Sequence, residues 1–232
     1  MTIEMIAFDA DDTLWHAEVL FQNAQEALKE ILLPWEKPET VDEALYAIEK
    51  RNMPQLGYGV KAFVLSMIEG AIQISNGEID ARSIEKILSI GKSMLEAELS
   101  LCPHVQETLN ILSGDHRLMI ITKGDLLDQM MKVERSGLAS YFSLVEVVNE
   151  KTPRAYANIL RKFYLDPASF LMVGNSIKSD ILPVLELGGK AVHIPADTTW
   201  VHEVVSDFDA PQDNFYALEH LGQLPDLIAT GL

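Results

Sequence analysis

Short, largely apolar runs recur at the start of the chain and throughout its second half, and each one ends at a polar residue, a glycine or a proline. An unbroken run of four such residues suits a strand that is buried on both faces of a parallel sheet. The sequence therefore predicts strands over residues 5–8, 118–121, 145–148, 170–173 and 191–194.

Helical patterns lie between these predicted strands. Leu126 to Ser136 ends at Gly137, a glycine in a typical C-cap position, and Pro153 is placed like a first-turn proline. Other helical stretches cover residues 103–112 and 181–187. Because strand and helix alternate, we expect an α/β fold with a doubly wound parallel sheet.

Residues 15–99 break this alternation and show helical periodicity alone. Apolar side chains recur at helical spacing until Pro34, and Thr40 with Glu43 forms a possible capping box for a second helix. Two more helices are predicted over residues 60–74 and 79–99. We therefore predict a core made of residues 1–14 and 100–232, with residues 15–99 inserted as a separate helical domain.

The charge of the chain limits its partners. There are 35 acidic residues against 18 basic ones, a formal net charge of −17, so nucleic acid and anionic membrane surfaces are poor ligands. The single cysteine, Cys102, cannot form an internal disulfide, and the N-terminus lacks the features of a secretory signal. We expect a cytoplasmic protein that is a monomer or a homodimer and acts on a small molecule.

Polar residues that follow the predicted strands form one chemical set. Ligands of an open parallel sheet bind beyond the carboxyl ends of its strands, so these residues should meet there. They include carboxylates, a hydroxyl, lysines and an amide, which is the inventory that phosphoryl transfer requires. The set is Asp9, Asp11, Thr122, Lys123, Gly124, Lys151, Asn175, Ser176 and Asp180.

The order of these residues resembles the four motifs of the haloacid dehalogenase-like superfamily. Phe8 to Thr13 is similar to the DxDxT motif, Thr122 to the Ser or Thr of the second motif, and Lys151 to the lysine of the third. The segment from Gly174 to Asp180 is similar to the acidic fourth motif. The resemblance covers nearly the whole chain and implies a Rossmann-like core with a helical C1 cap inserted after the first motif.

The resemblance also implies roles for the residues. Asp9 would attack phosphorus, and Asp11 would protonate the leaving oxygen and then activate water. Lys151 would neutralise Asp9 and the phosphate. Substrate contacts would come from Thr122, from Thr13, and from Lys123 and Gly124. Magnesium would be held by Asp9, by the Asp11 carbonyl and by the fourth motif, where Asn175 replaces an aspartate and leaves Asp180 as an alternative ligand.

Several alternatives remain open at this point. A phosphotransferase of the sugar-phosphate mutase type shares the four motifs, and a non-catalytic phosphate-binding protein is compatible with Asn175. A metal-free haloacid dehalogenase is disfavoured by Asp11, because a leaving halide needs no proton. In the helical insert, Tyr58 and Lys61 belong either to a substrate-binding loop or to an ordinary helix–helix connection.

Overall fold

The computed structural model describes residues 3–196, 198, 200–205 and 213–231. Within this part of the chain lies one parallel six-stranded sheet, in the order β3-β2-β1-β4-β5-β6. The strands are Met5–Phe8 (β1), Arg117–Lys123 (β2), Leu144–Val148 (β3), Phe170–Gly174 (β4), Lys190–His193 (β5) and Phe215–Ala217 (β6). The five predicted strands are confirmed, and the sequence analysis missed only the short β6 at one edge.

The helices described are Glu18–Leu32 (α1), Pro38–Leu56 (α2), Val60–Ile74 (α3), Ala81–Glu96 (α4), Val105–Leu112 (α5), Leu126–Arg135 (α6), Pro153–Lys162 (α7), Leu182–Glu186 (α8) and Leu224–Ala229 (α9). The predicted alternation of strand and helix after residue 100 is confirmed. No helix among the described residues is both long enough and apolar enough to cross a bilayer.

The sheet is buried on both faces because successive side chains of a strand point in opposite directions. On one face, Ile6 and Phe8 pack with residues of α5 and α9. On the other face, Met5 and Ala7 pack with residues of α7. Helices on both faces of a parallel sheet define the doubly wound α/β class that the sequence predicted. Strand β1 lies between β2 and β4, so its carboxyl end is central in the sheet.

The chain divides into two compact units. The α/β unit comprises the chain up to Glu18, Leu99–Lys123, and the chain from Gln129 onwards. The helical unit comprises Val19–Glu98 together with Gly124–Asp128, a short segment outside the 15–99 range predicted for the insert.

The helical unit has an apolar core of its own, in which Leu28, Leu45, Met67 and Ile87 are almost fully buried. The predicted capping box at Thr40 is wrong: α2 begins at Pro38, and no side chain caps it. Proline is well suited to the first turn of a helix, where its missing N–H costs no hydrogen bond.

The chain leaves and re-enters the α/β unit through a short antiparallel pairing. Trp15 bridges Leu101, the His16 N–H donates to the Ser100 carbonyl at 2.9 Å, and the Cys102 N–H donates to the Leu14 carbonyl at 3.0 Å. The Trp15 side chain is fully buried at this point.

Candidate active site

A buried lysine lies between two carboxylates at the carboxyl end of β1. Lys151 donates to Asp9 and, at 2.6 Å, to Asp180, and the Lys151 side chain is only 2% exposed. Burial raises the pKa of Asp9 to about 7; the negative charge of Asp180 adds to this rise, and Lys151 opposes it. Burial would lower the pKa of Lys151, but the two carboxylates outweigh it and raise that pKa. Lys151 is therefore held as an ammonium ion beside Asp9.

The position of Asp180 depends on a glycine and on an unusual helical turn. The π-helix Ile177–Ile181 follows β4 and carries Asp180, whose second oxygen accepts from the Ser176 N–H at 3.0 Å. A Cβ atom at Gly174 would lie 2.3 Å from an Asp180 carboxylate oxygen. Only a residue without a side chain leaves room for this carboxylate, and π-helical turns are frequent at functional sites.

Two acceptor oxygens lie near the hydroxyl group of Thr13. The Thr13 hydroxyl lies 3.4 Å from Asp9 Oδ2 and 3.2 Å from Asn175 Oδ1. Because a hydroxyl has a single proton, it can donate to only one of these two acceptors at a time. Asp9 and Asn175, 166 positions apart in the chain, thus place a carboxylate oxygen and an amide oxygen side by side.

This set of oxygen atoms fits a magnesium ion, which takes carboxylate and carbonyl oxygens and keeps several waters. The described residues contain no group of three or more His, Cys, Asp or Glu side chains arranged to hold a metal. A magnesium site at this position does not need such a group. Asp9 would provide one carboxylate, and the other oxygen atoms would come from the Asn175 amide and a backbone carbonyl.

Asp11 faces a different set of partners. Its carboxylate accepts from Trp15 Nε1 at 2.7 Å, from Gln129 Nε2 at 2.8 Å, and from Lys132 Nζ at 3.1 Å on both oxygens. Burial would raise the pKa of Asp11, but Lys132 and the hydrogen bonds outweigh burial and lower it. Asp9 and Asp11 are two residues apart, yet their surroundings shift their pKa values in opposite directions.

The second-motif residues lie at the end of β2. Thr122 is buried, and its hydroxyl is directed to the Lys123 carbonyl at 3.4 Å. Lys123 donates to the carboxylate of Glu203 and, at 3.0 Å, to the Ser179 hydroxyl. The charge of Lys123 is therefore already paired within the protein.

The remaining predicted substrate contacts belong to the helical unit. Tyr58 lies between Gly57 and Gly59 in the turn that precedes α3, and Lys61 in the first turn of α3 forms an ion pair with Asp125 at 2.8 Å. A Cβ atom at Gly59 would lie 3.3 Å from the Asp125 nitrogen. The turn at Tyr58 thus packs against the segment that begins at Gly124, directly after Lys123 in the chain.

Sequence reasoning missed the four side chains that surround these groups. Trp15, Gln129 and Lys132 bind Asp11, and Glu203 binds Lys123. The spacing of Gln129 and Lys132 was the available signal, because residues three apart share one face of a helix. Glu203 ends the short 3-10 helix Val201–Glu203, which follows the last predicted strand and is too short to give a periodic signal.

Known proteins with related sequences share this fold. Residues 3–188 match the family of haloacid dehalogenase-like hydrolases. A match of this extent shows that the chain belongs to that family.

The relatives of this chain include enzymes that act on phosphorylated compounds. It is 28% identical to rat N-acylneuraminate-9-phosphatase over 141 residues, which cover 58% of this chain and 54% of that protein. It is 28% identical to Escherichia coli pyrimidine 5'-nucleotidase YjjG over 131 residues, 51% of this chain and 58% of that protein. The chain thus spans little more than half the length of these curated relatives.

Solved structures also resemble this chain over its whole length. A haloacid dehalogenase-like family hydrolase from Xanthomonas campestris is 34% identical, with a TM-score of 0.89 over 99% of this chain and 91% of that one.

Proposed function

We propose that this chain is a phosphatase that hydrolyses a small phosphate monoester through a phospho-aspartate at Asp9, with Mg²⁺ as cofactor. The observation that carries the proposal is the buried ammonium of Lys151 between Asp9 and Asp180 at the end of the central strand. A carboxylate repels an approaching phosphate, and an adjacent fixed cation offsets this repulsion.

The chemistry proceeds in two displacements. Asp9 forms a bond to phosphorus as the bond to the leaving oxygen breaks, and Asp11 gives the leaving oxygen its proton. Water then attacks the aspartyl phosphate and gives a proton to Asp11, which releases inorganic phosphate and restores Asp9. The partners of Asp11 lower its pKa and so favour the ionised form, which accepts a proton in the second displacement. They oppose the protonated form that the first displacement requires.

Magnesium would be held by side-chain oxygens of Asp9 and Asn175 and by the carbonyl of Asp11. We assign the direct fourth-motif contact to Asn175, because its amide oxygen shares the Thr13 hydroxyl with Asp9. Both oxygens of Asp180 already accept hydrogen bonds, from Lys151 and from the Ser176 N–H. We therefore propose that Asp180 does not bind the metal directly. The ion supplies positive charge to the phosphate oxygens.

We further propose that the substrate is a phosphorylated metabolite and that the helical unit acts as the cap that selects it. The names of the two curated relatives support a small phosphorylated substrate. Thr122 and Thr13, with the N–H groups near Lys123 and Gly124, would contact the phosphoryl group.

The test is phosphate release from an aryl phosphate, with Mg²⁺ and with EDTA, for wild type and Asp9→Asn. We expect turnover that requires Mg²⁺ and falls about 10³-fold or more in the variant. Asp166→Asn is the matched control, since it makes the same chemical change at an exposed aspartate that accepts only a local backbone hydrogen bond.

Mass spectrometry after borohydride reduction separates the proposed mechanism from simple hydrolysis. An aspartyl phosphate at Asp9 would be reduced and would change the mass of the peptide that contains it. Turnover that persists in Asp9→Asn, or in EDTA, would contradict the proposed mechanism. Transfer of the phosphoryl group to a sugar hydroxyl, with little free phosphate, would identify the mutase alternative instead.

A further inference from the structure

Glu203, a largely buried carboxylate outside the four motifs, binds residues of the second-motif and fourth-motif segments. Glu203 accepts hydrogen bonds from Lys123, from the Ser176 hydroxyl and, at 2.5 Å, from the Ser179 hydroxyl. We call these four residues, Lys123, Ser176, Ser179 and Glu203, the Glu203 bridge. Its ion pair is largely withdrawn from solvent, with side-chain exposures of 14% for Lys123 and 11% for Glu203.

The sheet order places the Glu203 bridge at the carboxyl end of β1. Lys123 is the last residue of β2, and Ser176 follows β4 by two positions. Strands β2 and β4 are the two neighbours of β1, which ends one residue before Asp9. Adjacent strands lie about 4.8 Å apart, so a bridge between the ends of β2 and β4 spans roughly 10 Å across β1.

Each partner in the bridge is held by more than one contact. Lys123 also donates to Ser179 at 3.0 Å and lies 5.9 Å from the centre of the Trp200 ring. Ser176 accepts from the Ser179 N–H at 3.0 Å within the π-helical turn that carries Asp180. Burial opposes the ionisation of Glu203, but Lys123 and the hydrogen bonds outweigh it and lower its pKa.

We propose that Glu203 is a positioning residue of this site, which fixes Lys123 and the Ser176–Ser179 turn in the arrangement that binds the phosphoryl group. This inference rests on the proposed function and extends it to a residue outside the family motifs. A buried ion pair is costly to desolvate, and its contribution to stability alone is a weak reason for its presence.

The sign of the effect separates positioning from simple electrostatics. Removal of a negative charge near an anion site should by itself tighten anion binding. Loss of positioning should weaken binding, because Lys123 and the turn would no longer be held in place. Weaker phosphate binding after the loss of a carboxylate is therefore specific to the positioning role.

The experiment measures the binding of inorganic phosphate by calorimetry in the presence of Mg²⁺, together with KM and kcat for an aryl phosphate. We expect Glu203→Gln to raise the dissociation constant and KM by about tenfold, which corresponds to about 1.4 kcal/mol, with a smaller change in kcat. Glu146→Gln is the matched control, because it removes the charge of another ion-paired glutamate in the α/β unit.

Hydrogen exchange provides a readout that does not depend on turnover. We expect faster exchange of the Ser179 and Asp180 amides in Glu203→Gln, since both belong to the turn that the bridge holds. Should Glu203→Gln fail to fold, Ser179→Ala removes one donor to the same carboxylate and is expected to shift both readouts in the same direction.

The outcomes are distinct. Unchanged phosphate affinity in Glu203→Gln would overturn the positioning role while leaving the proposed phosphatase function intact. Tighter phosphate binding would also overturn it and would show that Glu203 competes with phosphate for Lys123. A wild-type protein that neither binds phosphate nor turns over an aryl phosphate would overturn the proposed function, and the positioning role with it.

Discussion

The α/β unit and residues 19–98 of the helical unit differ in where their charged side chains lie, whereas Asp128, in the second segment of the helical unit, is buried. In the α/β unit, Asp9, Lys132, Lys151 and Asp180 are all buried, and each has a partner of opposite charge. Within residues 19–98, all of which the structure describes, every charged side chain has some exposure to solvent, and the buried polar side chains are the hydroxyls of Ser66 and Ser75. Buried ion pairs contribute little net stability, so the first pattern indicates a site and the second indicates a scaffold.

Among the substitutions that test this comparison, the largest expected effect is at Gly174. Gly174→Ala places a methyl group 2.3 Å from an Asp180 oxygen, so Asp180 must move and Lys151 loses a partner. We expect kcat/KM to fall about 100-fold and the free energy of unfolding to fall by about 2–4 kcal/mol. Steady-state kinetics and urea unfolding measure the two effects.

Gly114→Ala is the control for this substitution, because the new Cβ would meet only a carbonyl oxygen at an ordinary 3.6 Å. Equal losses in the two alanine variants would show that the Gly174 effect is not specific to Asp180.

A cavity in the core of the helical unit should lower the stability of the protein without lowering kcat. Leu28 is 1% exposed in its apolar core, and Leu28→Ala should lower the free energy of unfolding by about 2–5 kcal/mol, as cavity-forming substitutions do. We expect kcat per folded molecule to change by less than about twofold, because no charged network is touched. Leu33→Ala is the control, since Leu33 is 59% exposed just beyond the same helix. A large loss of kcat in folded Leu28→Ala would contradict the division between site and scaffold.

The ionisation of Glu203 should make the stability of the wild-type protein depend on pH. The pKa of Glu203 is lowered from its ordinary value of 4.5, so its ionisation stabilises the folded state above that pH and this contribution disappears as the pH falls through the lowered pKa. Glu203→Gln should therefore cost about 1–3 kcal/mol at pH 7 and much less at pH 3. Urea unfolding at several pH values tests this, and a cost that does not vary with pH would contradict it.

The same substitution in the helical unit should have the smallest effect. Glu69 pairs with Arg51 at 2.5 Å, but the two side chains are 38% and 57% exposed. Glu69→Gln should therefore change the free energy of unfolding by no more than about 0.5 kcal/mol at any pH. An effect as large as that of Glu203→Gln would show that burial does not distinguish the two ion pairs.

The strand-end residues could be predicted because the strands are parallel. Residues that follow different parallel strands meet at one edge of the sheet, and this places Asp9, Lys151 and Asp180 together although 171 positions separate the first from the last. Burial of whole strands also gave a clear apolar signal, whereas the three-residue β6 was too short to give one.

The partners of those residues could not be predicted in the same way. Lys132 lies near the end of α6, where a lysine is ordinarily explained by the helix dipole, and its contact with Asp11 spans 121 positions. Glu203 lies in a three-residue 3-10 helix, and nothing in a single sequence relates this glutamate to a lysine 80 positions earlier. Such contacts follow from the packing of the finished fold, which local patterns do not encode.

The paired exit and entry of the chain at Trp15 and Leu101 has an evolutionary consequence. The two ends of the inserted segment leave the α/β unit side by side, held by the His16 and Cys102 backbone hydrogen bonds. An insert whose ends already meet can change in length or be exchanged for another without altering the register of β1.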